Sequence, residues 1–369
     1  MNPLHNDNVL KLGLFSTNAD GALAFTTVDE RWRARWDDIE TMARMADDAG
    51  LEFILPIARW KGYGGETDVR GASFETLTHG AALAAITRRI AIFSTVHVPL
   101  VHPVFAAKAL ATIDHVSKGR AGLNIVCGWN QAEFDMFGHH QSQHDDRYEQ
   151  GMEWFKIMLG IFTRSEPFDY KGRFYDLKGV VGAPSPVQTP RPLTMSAAFS
   201  PAGRRFAART SDVLFTSLRE PEKAQAHIAE FQRLAAEVKR TASVYTTCHI
   251  VCRETNAEAE AYYRYYAEEK ADIGAVDFHM AAKHAHYGTI DPDVYRIERR
   301  SYAGGTGTHA IIGNPQKVAE GLMQVHRLGF AGTSLSFVNF NDELPFFVDR
   351  VLPLLEQAGL RRPTSLKVA

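Results

Sequence analysis

The sequence lacks the features of secreted, membrane-spanning and nucleic-acid-binding proteins. Its 369 residues include only three cysteines, Cys127, Cys248 and Cys252, which are too few for a disulfide framework. No apolar run reaches the roughly 18 residues of a membrane span, and we expect no signal peptide. The formal net charge is -2, without a basic stripe. These absences predict a cytoplasmic protein that has no nucleic-acid partner and no membrane partner.

Common catalytic motifs are also absent. No GxGxxG follows the first strand, which disfavours a dinucleotide-binding sheet, and there is no GxSxG, HExxH or P-loop. His139, His140, His144, Asp145 and Asp146 resemble metal ligands in composition only, because their spacing fits no zinc or non-haem iron pattern. We therefore predict no metal site, and favour chemistry performed by a bound organic cofactor.

The chain does contain a regular alternation of strand and helix patterns. Apolar, branched runs predict eight strands, at 10–16, 53–57, 90–96, 123–126, 193–199, 213–217, 245–252 and 333–338. Helical patterns lie between them, so we predict an α/β protein with one (β/α)8 TIM barrel domain over residues 1–369. A doubly wound sheet is the alternative. Insertions are expected near 59–72, 129–146, 165–192 and 272–308, and the last is placed to cover a pocket.

The fourth strand, in LNIVCGWN, has one amide within an apolar run. A buried Asn124 costs free energy unless its amide has partners, so the barrel wall satisfies it or it faces a ligand. Trp129, Asn130 and Glu133 follow the strand end, which is where α/β barrels build their sites.

The third strand carries two further polar candidates, Thr95 and His97, on the same face. Because alternate residues of a barrel strand face inward, an inward-facing Thr95 is expected beside Asn124 on the next strand. The alternative is that Thr95 bonds a local backbone group and that His97 is a solvated loop residue.

The segment SPAGRR at 200–205 follows the fifth strand. Ser200 is a suitable N-cap, Pro201 fits the first turn, and free amides at a helix start attract anions. Arg204 and Arg205 add charged donors. This pattern predicts a phosphate-binding helix start, although an ordinary capped helix with solvated arginines explains it equally well.

Taken in order, these motifs resemble the bacterial-luciferase-like flavin-dependent monooxygenases, nearest the pyrimidine and dimethylsulfone monooxygenase branch. The matching segments are ARWKGYGG, ATIDHVSKGR, LNIVCGWNQAEFDMFG, HDDRYEQGMEW, FDYKGRFYDL, AAFSPAGRRFAAR and VLPLLEQAG. Each is short, but their joint order is specific and covers nearly the whole chain. The resemblance implies a luciferase-like (β/α)8 barrel that binds FMN at the C-terminal ends of its strands.

The resemblance also implies residue roles. The implied cofactor-binding residues are Ala58, Arg59, Asn124, Glu133, Arg147, Tyr148, Ser200 and Gly203. Thr95 and Asn124 are expected to position O2 by hydrogen bonds rather than as acid or base. His97 is expected to contact the substrate or to donate a proton, and it stands where the pyrimidine branch is expected to have a small or apolar residue.

The implied activity is oxidation of a small organic substrate by O2 and reduced FMN, with an NAD(P)H:flavin reductase supplying the flavin. The resemblance implies a homo-oligomer, a dimer or a tetramer. Three alternatives remain at this point. They are a deazaflavin-dependent dehydrogenase on the same barrel, a non-catalytic flavin-binding relative, and a flavin-free barrel that binds a phosphorylated substrate.

Overall fold

Eight parallel strands close into a barrel in the computed structural model, which describes residues 2–128, 130–139, 144–284 and 292–363. The barrel strands are β1 (Lys11–Phe15), β2 (Phe53–Leu55), β3 (Ala91–His97), β4 (Ala121–Val126), β7 (Leu193–Ala197), β8 (Val213–Phe215), β9 (Ser243–Cys252) and β11 (Gly332–Ser336). They pair in that order around the ring, and β11 pairs with β1 to close it. The predicted TIM barrel is confirmed, and the doubly wound alternative is wrong.

Helices follow the strands and cover the outside of the barrel. They are α1 (Trp36–Asp48), α2 (Thr76–Ile86), α3 (Pro103–Val116), α4 (Gln131–Met136), α5 (His144–Thr163), α6 (Pro201–Thr210), α7 (Pro221–Glu237), α8 (Asn256–Arg264), α9 (Ile273–His284), α10 (Pro292–Gly305), α11 (Pro315–Arg327), α12 (Phe340–Arg350) and α13 (Leu352–Gln357). A 3-10 turn spans Pro3–His5, and a π-helical turn continues α8 over Tyr265–Glu269. None of the described helices is long and apolar enough to cross a bilayer.

Aromatic side chains fill the barrel interior. Phe53, Phe93 and Tyr245 are buried there, and the Phe53 ring lies 6.3 Å from that of Phe93 and 5.7 Å from that of Tyr245. Gly122 on β4 makes room for them, because a Cβ atom at this position would lie 2.4 Å from the Phe93 ring. The strands therefore enclose a packed core below the site rather than an open channel.

Several elements of the insertions were not predicted. The loop after β4 contains the short helix α4, and the 272–308 segment is largely helical, in α9 and α10. The barrel sheet has a ninth strand, β10 (His309–Gly313), which pairs outside the ring with the C-terminal half of β9.

The predicted hairpin is present as β5 (Phe168–Lys171) and β6 (Asp176–Val180). The division into a single domain stays a prediction.

Candidate active site

A cavity of about 930 Å³ lies at the C-terminal ends of the barrel strands. Eight of the ten predicted site residues line it, and they are Ala58, Arg59, Thr95, His97, Asn124, Arg147, Tyr148 and Ser200. The other two, Glu133 and Gly203, are not part of its lining. Residues of the 59–72 and 272–308 insertions complete the wall, among them Tyr63 and Tyr302. The volume lies in the range of cofactor and ligand pockets.

Thr95 and Asn124 lie side by side, as predicted, because β3 and β4 pair in register at these positions. Thr95 donates its hydroxyl proton to the carbonyl oxygen of Pro56 at 2.6 Å. The Thr95 oxygen has no second proton, so it accepts from Asn124 Nδ2 at 3.2 Å. This orients the Asn124 amide with Oδ1 away from Thr95.

The Asn124 Oδ1 atom is buried and has no hydrogen-bond partner in the described part of the chain. A buried acceptor without a partner costs about 1 to 3 kcal/mol. The sequence left open whether the barrel wall or a ligand provides the partners of this amide. The barrel wall provides a partner for Nδ2 only. Oδ1 is an acceptor at a cavity wall, suited to an N–H or O–H donor of a ligand.

His97 is buried at the end of β3 and lies 6.3 Å, ring to ring, from Phe134 of α4. It is not the solvated residue that the alternative described. Burial, with a smaller contribution from the Arg59 charge, lowers its pKa to about 4, although the Glu133 charge opposes this. The imidazole is therefore neutral at pH 7, and an imidazolium proton donor at this position is disfavoured.

Arg59 and Glu133 form an ion pair at 3.0 Å, with side chains that are 8% and 0% exposed. The same Glu133 oxygen accepts from the Trp60 backbone N–H at 3.1 Å. Glu133 lies in the first turn of α4, where a carboxylate is also favoured by the helix dipole. Arg59 lines the cavity and Glu133 does not, so Glu133 lies behind the cavity wall and holds Arg59 in place.

The start of α6 lies on another side of the cavity. Ser200 is its N-cap, and Ser200 Oγ accepts from the Gly203 backbone N–H at 3.1 Å. Tyr148 Oη lies 3.4 Å from Ser200 Oγ. The Gly203 amide is thus used by the cap, and the Ser200 and Tyr148 side chains line the cavity beside this helix start.

Arginine side chains near this helix start differ from the sequence-based expectation. Arg204 is paired with Glu230 at 2.8 Å, Arg205 is exposed, and neither of them lines the cavity. Arg147 lines the cavity instead, donating from Nη1 to the Gly128 carbonyl, while its buried Nε has no partner among the described residues.

Other sequence candidates fall outside this site. Trp129 and His140 lie outside the described residues, as do the side chains of His144 and Asp145. Asp146 pairs with Arg173 at 2.7 Å. No group of three or more potential ligands for a metal occurs in the described ranges. The three cysteines are free and buried.

Sequence reasoning missed three further cavity residues, Arg70 and Tyr302 in the insertions and Arg219 after β8. Loop segments have no periodicity that would indicate which side chains face inward. The available signals were the polar composition of 59–72 and the expected position of 272–308 over a pocket.

A sequence profile described as luciferase-like monooxygenase matches residues 10–332. The chain belongs to this family. A dimethylsulfone monooxygenase from Pseudomonas fluorescens, described as FMNH2-dependent, is 30% identical over 95% of this chain and 96% of its own. A pyrimidine monooxygenase from Acinetobacter baylyi is 25% identical over 94% of this chain and 95% of its own.

A solved long-chain alkane monooxygenase is 18% identical to this chain and superposes on it with a TM-score of 0.87, which shows the same fold. That alignment covers 98% of this chain and 94% of the other. The predicted family, fold and reaction class are therefore confirmed, and the protein is an oxidoreductase of the flavin-dependent monooxygenase type.

Proposed function

We propose that this protein uses reduced FMN and O2 to oxidise a small organic molecule, with a separate NAD(P)H:flavin reductase supplying the flavin. The observation that carries the proposal is the unpartnered Asn124 Oδ1 beside Thr95 in a cavity that also contains the α6 helix start. We infer in addition a single domain, a cytoplasmic location and a homo-oligomeric state, the location being supported by the free cysteines.

The cavity residues fit FMN in both of its chemically distinct parts. At one end, the Ser200 and Tyr148 hydroxyls, the start of α6 and Arg147 offer donors suited to the phosphate. Elsewhere in the same cavity, Asn124 offers an unused acceptor, and a ring N–H of a reduced flavin is a donor of the kind it lacks. Ala58 and Arg59 contribute to the wall after β2.

Reduced FMN, when bound, supplies the electrons for the reduction of O2. The chain's own residues orient the cofactor and the substrate, exclude water and hold protons. When the cofactor is bound, Asn124 Oδ1 would accept from one of its ring N–H groups, while Asn124 Nδ2 is anchored by Thr95, which is itself anchored on Pro56. Thr95 therefore positions the amide, and its proton is not available for transfer.

The walls around this pair keep water away from the reaction. Phe15, Ile57 and Phe215 line the cavity between the polar groups, and a low-dielectric surrounding strengthens each hydrogen bond inside. His97 contributes a neutral imidazole, which can donate or accept a hydrogen bond to the substrate without carrying charge.

The test is an anaerobic titration of the protein with reduced FMN, followed by rapid mixing with O2 while flavin absorbance is recorded. We expect binding, and an oxidation time course that differs from that of free reduced FMN. Asn124→Ala should weaken binding by about tenfold, the equivalent of one hydrogen bond to a buried acceptor.

Asn130→Ala provides the matched control, because this amide lies at the start of α4 and makes no side-chain cap bond there. It should bind reduced FMN as the wild type does. Binding without any effect of O2 would favour a deazaflavin-type dehydrogenase or a non-catalytic relative. Absence of FMN binding would leave the flavin-free barrel.

A further inference from the structure

Arg70 is a buried guanidinium on the cavity wall whose hydrogen-bond partners among the described residues are all uncharged. It is 5% exposed and lies in the 59–72 insertion. Its Nε donates to the Ala22 carbonyl at 3.0 Å, Nη2 to Thr306 Oγ1 at 3.0 Å, and Nη1 to Tyr63 Oη at 3.5 Å. A buried charge is costly unless a counter-charge compensates it.

The structure holds this side chain firmly. The guanidinium lies 5.5 Å from the ring centres of both Phe25 and Tyr63. Arg70 itself has a φ angle of 64°, a left-handed backbone conformation that costs free energy for a residue with a Cβ. A strained backbone and a buried charge occur together at one cavity residue, which indicates function more than packing.

The start of α6, which would hold the cofactor phosphate, lies on the other side of the barrel from Arg70, so that phosphate would not compensate the Arg70 charge. Ala22, which anchors Arg70, follows β1, whereas Ser200 follows β7. Four pairings separate β1 from β7 in the ring of eight, so these strands lie opposite each other. Arg59 needs no further anion, because Glu133 already pairs with it. Arg70 is thus left for a different anion.

We propose that the substrate carries an anionic oxygen group, a carboxylate or a sulfonate, which Arg70 binds at the side of the cavity formed by the two insertions. This deepens the proposed function and rests on it. Two oxygens of either group can accept from the parallel donors of a guanidinium, and two Arg70 nitrogens have N–H groups beyond those used for Thr306 and Tyr63. Tyr302 and Thr306 also line that side, at the end of α10.

The test measures binding of small probes to the FMN-loaded protein by calorimetry. The probes are butanoate and propanesulfonate, with butanamide and dimethylsulfone as uncharged counterparts. We expect the anions to bind at least about tenfold more tightly than their counterparts to the wild type, and Arg70→Gln to abolish this difference. The affinity for FMN should change less than about threefold in that variant.

Arg219→Gln is the matched control, since Arg219 lines the same cavity but is exposed and donates to Tyr302 Oη at 3.1 Å. It should keep the preference for anions. Should Arg70→Gln fail to fold, Arg70→Lys decides, because it keeps the charge without the parallel donors. The preference should then be reduced but not lost.

Three results would overturn the inference. They are equal binding of anions and amides by the wild type, an unchanged preference in the folded Arg70 variants, and a parallel loss of FMN affinity that would assign Arg70 to the cofactor. FMN binding is measured first on the wild type. Its absence would overturn the proposed function, whereas FMN binding without a preference for anions overturns this inference alone.

Discussion

Thr67 donates both its backbone N–H and its hydroxyl to one carboxylate oxygen of Asp272, each at 2.7 Å, across 205 residues of sequence. The other oxygen accepts from the backbone N–H groups of Glu66 and Ala275, at 3.1 and 3.2 Å. Burial alone would raise the pKa of Asp272, but these hydrogen bonds hold it below its ordinary value of 3.8. One carboxylate thereby joins the two insertions that form a wall of the cavity.

Gly65→Ala should break this junction. A Cβ at Gly65 would lie 2.2 Å from Asp272 Oδ1, and the φ angle of 73° adds backbone strain. We expect the free energy of unfolding to fall by about 3 kcal/mol, from overpacking and strain together. Urea titration measures it. Gly64→Ala is the control, because this residue has a φ of 66° with no atom within 4 Å, and should cost only about 1 kcal/mol. Equal costs for both variants would contradict the prediction.

The neutral His97 makes stability depend on pH. Its pKa is about 4 in the folded protein, against 6.5 ordinarily, so the unfolded chain takes up a proton first as pH falls. The contribution of neutral His97 to the free energy of unfolding is fully present above pH 6.5 and is lost as the pH falls towards 4.

Between pH 7 and pH 5, His97 should remove about 2 kcal/mol of stability from the wild type. His97→Gln has no titrating group and should lack this part of the loss. Urea titrations of both proteins at the two pH values measure it. The buried His79 and His249 have lowered pKa values for the same reason, so some acid sensitivity should remain in the variant. Identical pH dependence in both proteins would refute the assigned pKa.

Thr95 should act through its hydroxyl rather than its shape. Thr95→Val keeps the volume but leaves the Pro56 carbonyl and Asn124 Nδ2 without their shared partner. We expect a loss of about 1 to 2 kcal/mol in unfolding free energy and weaker binding of reduced FMN. Thr95→Ser restores the hydroxyl and should behave like the wild type. If Val and Ser variants bind reduced FMN equally well, Thr95 does not position Asn124.

A buried ion pair lies at the N-terminal ends of the barrel strands, opposite the cavity. It allows the contributions of two neighbouring arginines to stability to be compared. Arg361 contacts Glu52 at 2.7 Å, with side chains that are 3% and 0% exposed. Arg362 contacts Asp7 at 3.0 Å, but those side chains are 73% and 68% exposed. Arg361→Ala should lower the free energy of unfolding by about 3 kcal/mol, because it leaves a buried carboxylate without this partner.

Arg362→Ala should leave the stability almost unchanged, because exposed ion pairs are screened by solvent. Thermal and urea unfolding of the two variants measure the difference. A similar loss in both would mean that the tail 360–363, rather than the buried pair, stabilises the barrel.

Local residue patterns are sufficient to predict the barrel and the polar residues at its strand ends. Strand and helix periodicity depend on local residue patterns, so all eight strands, α3 over Pro103–Val116 and the Ser200 N-cap were predicted. The neighbouring positions of Thr95 and Asn124 followed as well, because parallel strands of a barrel align their C-terminal ends.

The hydrogen-bond and ion-pair partners of the polar groups follow from the folded chain and not from local sequence. Whether a hydroxyl, an amide or a guanidinium is free depends on partners distant in sequence. Thr95 gives its proton to Pro56, Arg204 is paired with Glu230, and Arg70 is buried against Ala22 and Thr306 with no ion-pair partner in the described part of the chain. Such pairings across insertions leave no periodic pattern in the chain, and they are what separates a residue that faces a ligand from one that stabilises the wall.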